Sequence, residues 1–193
     1  MAKLRLNVEA VILAGGLSSR MGTNKSLVQL NQKKLIDHVF ERISPQVNKV
    51  WINTNEPIRG YALDLQFSDQ IQEKIGPLAG IYSSLEKVQT DWVQFCPNDC
   101  PNLPDNLVDM LSSNIKGSSI KIFIPLVDGR PEPTFMLCHR STRESINRFI
   151  KAKNYKLMSW VESNHYQKIT FNDGIAFANI NDQEELVKYQ NEA

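Results

Sequence analysis
The sequence predicts a three-layer α/β fold, with a mostly parallel sheet covered by helices on both faces. Three observations carry this expectation. Short apolar runs of strand length recur along the chain, segments with apolar residues at helical spacing fall between them, and no repeat or low-complexity tract interrupts the alternation. Strands that alternate with helices need right-handed crossovers, and parallel strands joined this way are buried on both sides. At 193 residues and 41% hydrophobic content, the chain is sized for one domain spanning residues 1–193.

The elements follow in order. Val8 to Ala14 reads as a buried strand that runs into two glycines. Lys34 to Ile43 reads as a helix, because Leu35, Ile36, Val39, Phe40 and Ile43 recur at helical spacing before Pro45 stops them. Lys49 to Asn53 (KVWIN) is a second strand, Leu78 to Val88 a helix, and Trp92 to Cys96 (WVQFC) a third strand. Pro104 to Ile115 opens with the proline favoured at a helix start, and Ile120 to Pro125 returns as a strand. Beyond residue 125 the alternation loosens. There Thr134 to Leu137 and Tyr166 to Phe171 read as strands, and Thr142 to Ile150 and Asp182 to Tyr189 as helices.

Composition narrows the function classes. Twenty-two basic against 21 acidic residues leave a formal charge of +1, so the bulk charge argues for neither nucleic acid nor an acidic membrane surface. Any anion must be met by a local cluster. Cys96, Cys100 and Cys138 are odd in number and sparse, which suits reduced thiols, and Cys96 and Cys100 have no second pair to complete the four ligands of a zinc site. The opening MAKLRLNVEA lacks the apolar core of a signal peptide, and no stretch reads as a membrane span, so the cytoplasm is the expected location.

One stretch asks for an anion. AVILAGGLSSRMGTNKSL, residues 10 to 27, fits neither the P-loop spacing nor the dinucleotide glycine pattern. Its chemistry still suits phosphate. Gly15 and Gly16, at the carboxyl end of a strand, let a ligand approach the main chain and aim N–H groups at it, while Arg20 and Lys25 add a fork and a point of positive charge. The same residues also describe a turn with solvated basic side chains. A second element, FCPNDCPNLP (Phe95 to Pro104), presents Asp99 between Pro97 and Pro101 at another strand end. A lone carboxylate facing phosphates is the usual protein share of a magnesium site, and equally an ordinary turn aspartate. A third, GPLAG (Gly76 to Gly80), opens a helix with residues small enough for a flat ring to lie against the main chain. Taken alone, Asn53 ends a strand and Asp69 caps a turn.

In order, these motifs resemble the molybdenum cofactor guanylyltransferase family. The match runs through LAGG-x-S-x-R-M-G-x-x-K (Leu13 to Lys25), Asn53, Asp69, GPLAG, C-P-x-D-x-P (Cys96 to Pro101) and the closing FANINDQEEL with Asn179 and Asn181. It covers nearly the whole chain. Departures are Asn24 where the family usually has Asp, Asn98 and Cys100 beside Asp99 where Cys and Thr are commoner, and Asp182-Gln183 in place of Thr-Pro.

The resemblance implies a Rossmann-like fold of the nucleotide-diphospho-sugar transferase type, and a magnesium-dependent transfer of GMP from GTP to molybdenum-bound molybdopterin with release of pyrophosphate. It implies Arg20, Lys25 and Asp99 as catalytic residues, with Asp99 as the metal ligand. Leu13, Ala14, Gly15, Gly16, Lys25, Asn53, Asp69, Gly76, Pro77, Leu78 and Asp99 would hold the nucleotide, and Asn179 and Asn181 the acceptor. About residues 1–125 would then form the nucleotide-binding part and about 126–193 the acceptor-binding part, where DGRPEPTF (Asp128 to Phe135) and Arg140 add charged and apolar groups. Recipients of the product would be molybdenum enzymes or their chaperones. Two other readings stay open from sequence: a related enzyme that uses CTP on molybdopterin or makes a nucleotide sugar, and a nucleotide-binding regulator without turnover.

Overall fold
In the computed structural model the chain is described over residues 6–15, 28–71 and 73–180. Its strands are β1 (Val8–Leu13), β2 (Gln29–Leu30), β3 (Lys33–Lys34), β4 (Lys49–Asn53), β5 (Gln66–Phe67), β6 (Trp92–Pro97), β7 (Ile122–Val127), β8 (Arg130–Pro131), β9 (Leu137–His139) and β10 (Tyr166–Phe171). Its helices are α1 (Leu35–Ile43), α2 (Pro77–Lys87), α3 (Leu107–Ser112), α4 (Arg143–Lys151) and α5 (Leu157–Glu162).

One sheet runs in the order β10-β7-β9-β6-β1-β4-β5, with β8 paired to β7. Pairs β1–β4, β1–β6, β4–β5 and β7–β10 are parallel, whereas β9 is antiparallel to both of its neighbours. The sheet is thus mostly parallel, as expected. The chain leaves β1 for β4 over α1, then returns from β5 to β6 over α2 on the opposite face. Two crossovers that travel in opposite directions over opposite faces share one hand, which satisfies the handedness rule.

The core follows strand alternation. Val8, Ala10 and Ile12 of β1 join Ile36, Val39 and Ile43 of α1 and Leu107 and Leu111 of α3 on one face. Val11 joins Leu78, Ile81 and Leu85 of α2, Ile146 of α4 and Trp160 of α5 on the other. Each valine, leucine or isoleucine among them contributes about 1.5–3 kcal/mol on burial. Glu9, the one charged residue of β1, is buried as well. Its carboxylate accepts from Trp51 Nε1 at 2.9 Å and from the Gln89 N–H at 3.2 Å, so its desolvation is compensated.

Differences from the predicted elements have local causes. Asp128 and Gly129 take φ of 48° and 78° and make a two-residue hairpin turn between β7 and β8, the geometry that Asp-Gly favours. Asn31 and Gln32, at 52° and 65°, do the same between β2 and β3. Pro133 opens a 3-10 turn over Pro133–Phe135, which displaces the expected Thr134–Leu137 strand to β9. Helix α3 is shorter than expected, because Pro104 O is held in an i to i+3 turn by the Leu107 N–H and also accepts from Gln46 Nε2. The expected helix at Asp182 to Tyr189 lies outside the described residues. None of the described helices is long and apolar enough to cross a membrane.

Gln46 ties α1 to α3. Its buried amide donates to Arg42 O at 2.9 Å and Pro104 O at 2.8 Å and accepts from the Val108 N–H at 3.1 Å. Gln46→Ala strands buried backbone groups and is expected to cost about 2–4 kcal/mol. A urea unfolding curve should show a lower midpoint at unchanged slope, and an unmoved midpoint would remove Gln46 from this role.

Candidate active site at the carboxyl edge of the sheet
Four adjacent parallel strands end level with one another. Leu13 is in register with Asn53 of β4 and with Pro97 of β6, and Asn53 with Phe67 of β5. Beyond these ends the Ala14 N–H donates to Asn53 O at 2.8 Å and the Thr54 N–H to Phe67 O at 2.9 Å, so the ladder carries on by one step. Gly15, Asn53, Asp69 and Asp99 therefore share the carboxyl edge, and β1 and β6 flank the point where the strand order reverses. Open parallel sheets place ligands at such a point. The ends of β5 and β6 lie three strand spacings apart, about 14 Å.

Asn53 organises the β4 end of this row. It is 2% exposed, and its Nδ2 donates to Asp69 Oδ1 at 2.9 Å. Asn55 Nδ2 donates to the other oxygen of Asp69 at 3.1 Å, and the Asp69 N–H donates back to Asn55 Oδ1 at 3.0 Å. Gly15 lies against this group, and Gly80 allows its packing. A Cβ on Gly15 would lie 3.4 Å from Asn55 Nδ2 and 3.5 Å from Asp69 Oδ2, and one on Gly80 would lie 2.3 Å from Asn53 Oδ1. The next residue, Gln70, has its N–H bonded to Ser83 Oγ of α2 at 2.8 Å. Gly76 precedes α2 with φ 72° and ψ −156°, a conformation essentially confined to glycine, and Pro77 takes the first helical position. Gly76 and Pro77 are exposed at the helix start, whereas the side chains of Leu78 and Ala14 are buried in the two cores.

Asp99 sits beyond β6 with 8% exposure. Its backbone carbonyl accepts from the Ile180 N–H at 2.8 Å, and the neighbouring Cys100 thiol donates to Asn179 Oδ1 and to Phe177 O. Phe177 packs edge-on against Phe135 and Phe171, each at 5.0 Å, and so anchors this late segment. The structure thereby brings Asn179 to the loop that carries Asp99. Gly16, Arg20, Lys25 and Asn181 lie outside the described residues. Arg140 does not join the group: antiparallel β9 carries it to the opposite edge, where its N–H donates to Asp91 O.

Other titratable groups stand apart from the row. His38 contacts Leu30 O, and His139 contacts Ser141 at the far edge, where burial and then the charge of Lys121 lower its pKa. Burial pushes the Cys138 thiol up to about 12 and raises that of Cys96 as well, so both stay protonated and unreactive. Among the described residues, no group of three or more His, Cys, Asp and Glu could hold a metal by itself. A cavity of about 820 Å³ beside Arg42, Asn102 and Phe171 contains none of Gly15, Asn53, Asp69 and Asp99.

Comparison with known proteins shows the family. The family model described as the MobA-like NTP transferase domain matches residues 10–169, a span that holds every residue of the row. The chain belongs to the MobA-like NTP transferases. Among relatives of this transferase, a molybdenum cofactor guanylyltransferase of Shewanella sp. (strain MR-4) is 37% identical over 187 residues, covering 94% of each chain. One of the same name from Vibrio parahaemolyticus is 36% identical over 182 residues, covering 93% of each. The molybdopterin-guanine dinucleotide biosynthesis protein A of Archaeoglobus fulgidus has the same fold, with a TM-score of 0.78 at 23% identity over 95% of this chain and 97% of that one.

The sequence of this MobA-like transferase did not single out Asn55 or Ser83, and it marked Gly80 only as a small residue of GPLAG and not as the one that faces Asn53. The signal for Asn55 was its place two residues after Asn53, and nothing local marked Ser83. Gly80→Ala forces Asn53 or α2 to move, and it is expected to cost about 1–3 kcal/mol. Thermal unfolding measures this, and a wild-type Tm would show that the helix yields without cost.

Proposed function
We infer that this chain transfers GMP from GTP to the terminal phosphate of molybdenum-bound molybdopterin, giving the guanine dinucleotide form of the cofactor and pyrophosphate. The observation that carries the reading is the row of Gly15, Asn53, Asp69 and Asp99 on one edge of a parallel sheet. Relatives of matching length that are named for this transfer support it.

In this reading the nucleotide lies along the row, its base toward Asn53, Asp69 and the Gly76, Pro77 and Leu78 main chain, and its phosphates toward Asp99. The main chain of Leu13, Ala14, Gly15 and Gly16 approaches the nucleotide closely, and Lys25 and Arg20 bring cationic groups to the phosphates. Asn179 and Asn181 take the acceptor, with about residues 126–193 as the acceptor-binding part. Magnesium fits the donor set, since Asp99 offers one hard oxygen donor and this ion draws its remaining ligands from phosphates and water. Bound there, it would offset negative charge on the phosphates.

The acceptor phosphate oxygen attacks the α-phosphorus of GTP, the bond to the bridging oxygen breaks, and pyrophosphate leaves. A phosphate monoester has its second pKa near 6 and is largely dianionic at neutral pH, so the nucleophile needs no protein base. The chain's task is to align two anions and to stabilise the charge that moves onto the leaving group.

The test supplies molybdenum-bound molybdopterin, magnesium and one nucleoside triphosphate at a time. Pyrophosphate and dinucleotide product should form with GTP, and product from CTP alone, or none from any nucleotide, overturns the reading. Asp99→Asn should lower turnover by about 100-fold or more while Tm moves by only a few degrees. A near wild-type magnesium-dependent rate would remove Asp99 from its role. Lys25→Ala should weaken GTP binding far more than guanosine binding, as calorimetry would report, whereas equal weakening would point to a base contact or a folding defect.

A further inference from the structure
Asn55 makes a two-point contact that its surroundings do not require. It is an exposed residue in the turn after β4, where asparagine commonly bonds only its own turn. Instead it reaches the end of another strand. Its Nδ2 donates to Asp69 Oδ2 at 3.1 Å while its Oδ1 accepts the Asp69 N–H at 3.0 Å, closing a ring on both the side chain and the main chain of Asp69. Asn53 Nδ2 donates to the opposite carboxylate oxygen at 2.9 Å. Each oxygen thus faces an amide donor, which fixes the plane of the carboxylate. Exposed polar pairs of this kind contribute little to stability, so the consequence of the ring is where Asp69 is held.

We propose that Asn55 is a positioning residue for base selectivity, holding Asp69 so that it accepts from the two adjacent donors of guanine, N1–H and the 2-amino group. This rests on the reading that Asp69 meets the base. An ionised carboxylate only accepts, and it has about four acceptor sites, so it can take amide and base N–H groups together. Adenine and cytosine set a ring acceptor beside their amino group and turn a lone pair toward the carboxylate. Hypoxanthine keeps N1–H and lacks the 2-amino donor. A site that hydrogen-bonds a particular group rejects analogues without it, provided the partner is held in place.

Equilibrium binding of GTP and ITP to the wild-type protein, Asn55→Ala and Asn55→Asp tests this by calorimetry. The wild-type protein should prefer GTP over ITP by at least about tenfold, the value of one hydrogen bond to a charged group. Asn55→Ala should bring that ratio to about threefold or less. Asn55→Asp keeps an acceptor for the Asp69 N–H but sets a second carboxylate against the first, and it should reduce the ratio at least as far. In turnover, the loss should fall on KM for GTP more than on kcat. A merely structural role weakens both nucleotides alike, so a GTP/ITP ratio unchanged in both variants overturns the proposal. Wild-type preference for CTP would instead overturn the guanylyl reading and the inference with it.

Discussion
Asn53 carries a buried amide at the end of β4, and the edge of the sheet is arranged around it. Its main-chain carbonyl receives the Ala14 N–H, which sets the path of the chain as it leaves β1 toward the glycines. Its side-chain nitrogen bonds Asp69, which sets the segment beyond β5. Its side-chain oxygen lies where a Cβ on Gly80 would intrude, which sets how closely α2 approaches the sheet. A buried amide left unpaired costs about 1–3 kcal/mol, so these three segments are coupled through one side chain. Displacing any of them reaches the other two.

The row at the carboxyl edge inherits its geometry from parallel pairing. In a parallel sheet the strands end together on one side, and side chains just past those ends share one crevice without needing to be near in sequence. Gly15, Asn53, Asp69 and Asp99 come from four separate strand ends, and the register Leu13 with Asn53 and with Pro97 brings them level. The late segment closes against the same edge through Ile180, Asn179 and the Phe177 ring.

Much of this was legible in the chain itself, because long periodic segments such as Leu35–Ile43 and runs such as KVWIN need only local pattern to be read. The places of GPLAG at a helix start and of Asp99 just past a strand end were legible because glycine, proline and aspartate favour the ends of strands and helices. What was not legible depends on distant partners. Strand β5 has two residues and exists only through its pairing with β4, and the Asn55–Asp69 ring spans two strand ends. The sequence offers Arg140 as a charged group of the acceptor-binding part, but its place follows from the direction of β9. That direction traces to the Asp128-Gly129 turn, a hairpin signal present in the sequence and left unread. Reading the turn would have placed Arg140 at the far edge.

Antiparallel β9 has a consequence for how the chain can be assembled. It is three residues long, yet among the described residues it joins β6 to β7 in the sheet order, and so ties the β7–β10 pair to the strands from the first half of the chain. Until residues 137–139 have been synthesised, β6 has β1 on one side and an open row of backbone donors and acceptors on the other, on a strand that is almost wholly buried in the finished fold. Such an edge invites pairing with other chains. Contacts that wait on a late segment also slow folding, since the intervening chain must be ordered before they form. This three-residue strand thus decides when the nascent protein stops being a template for its own aggregation.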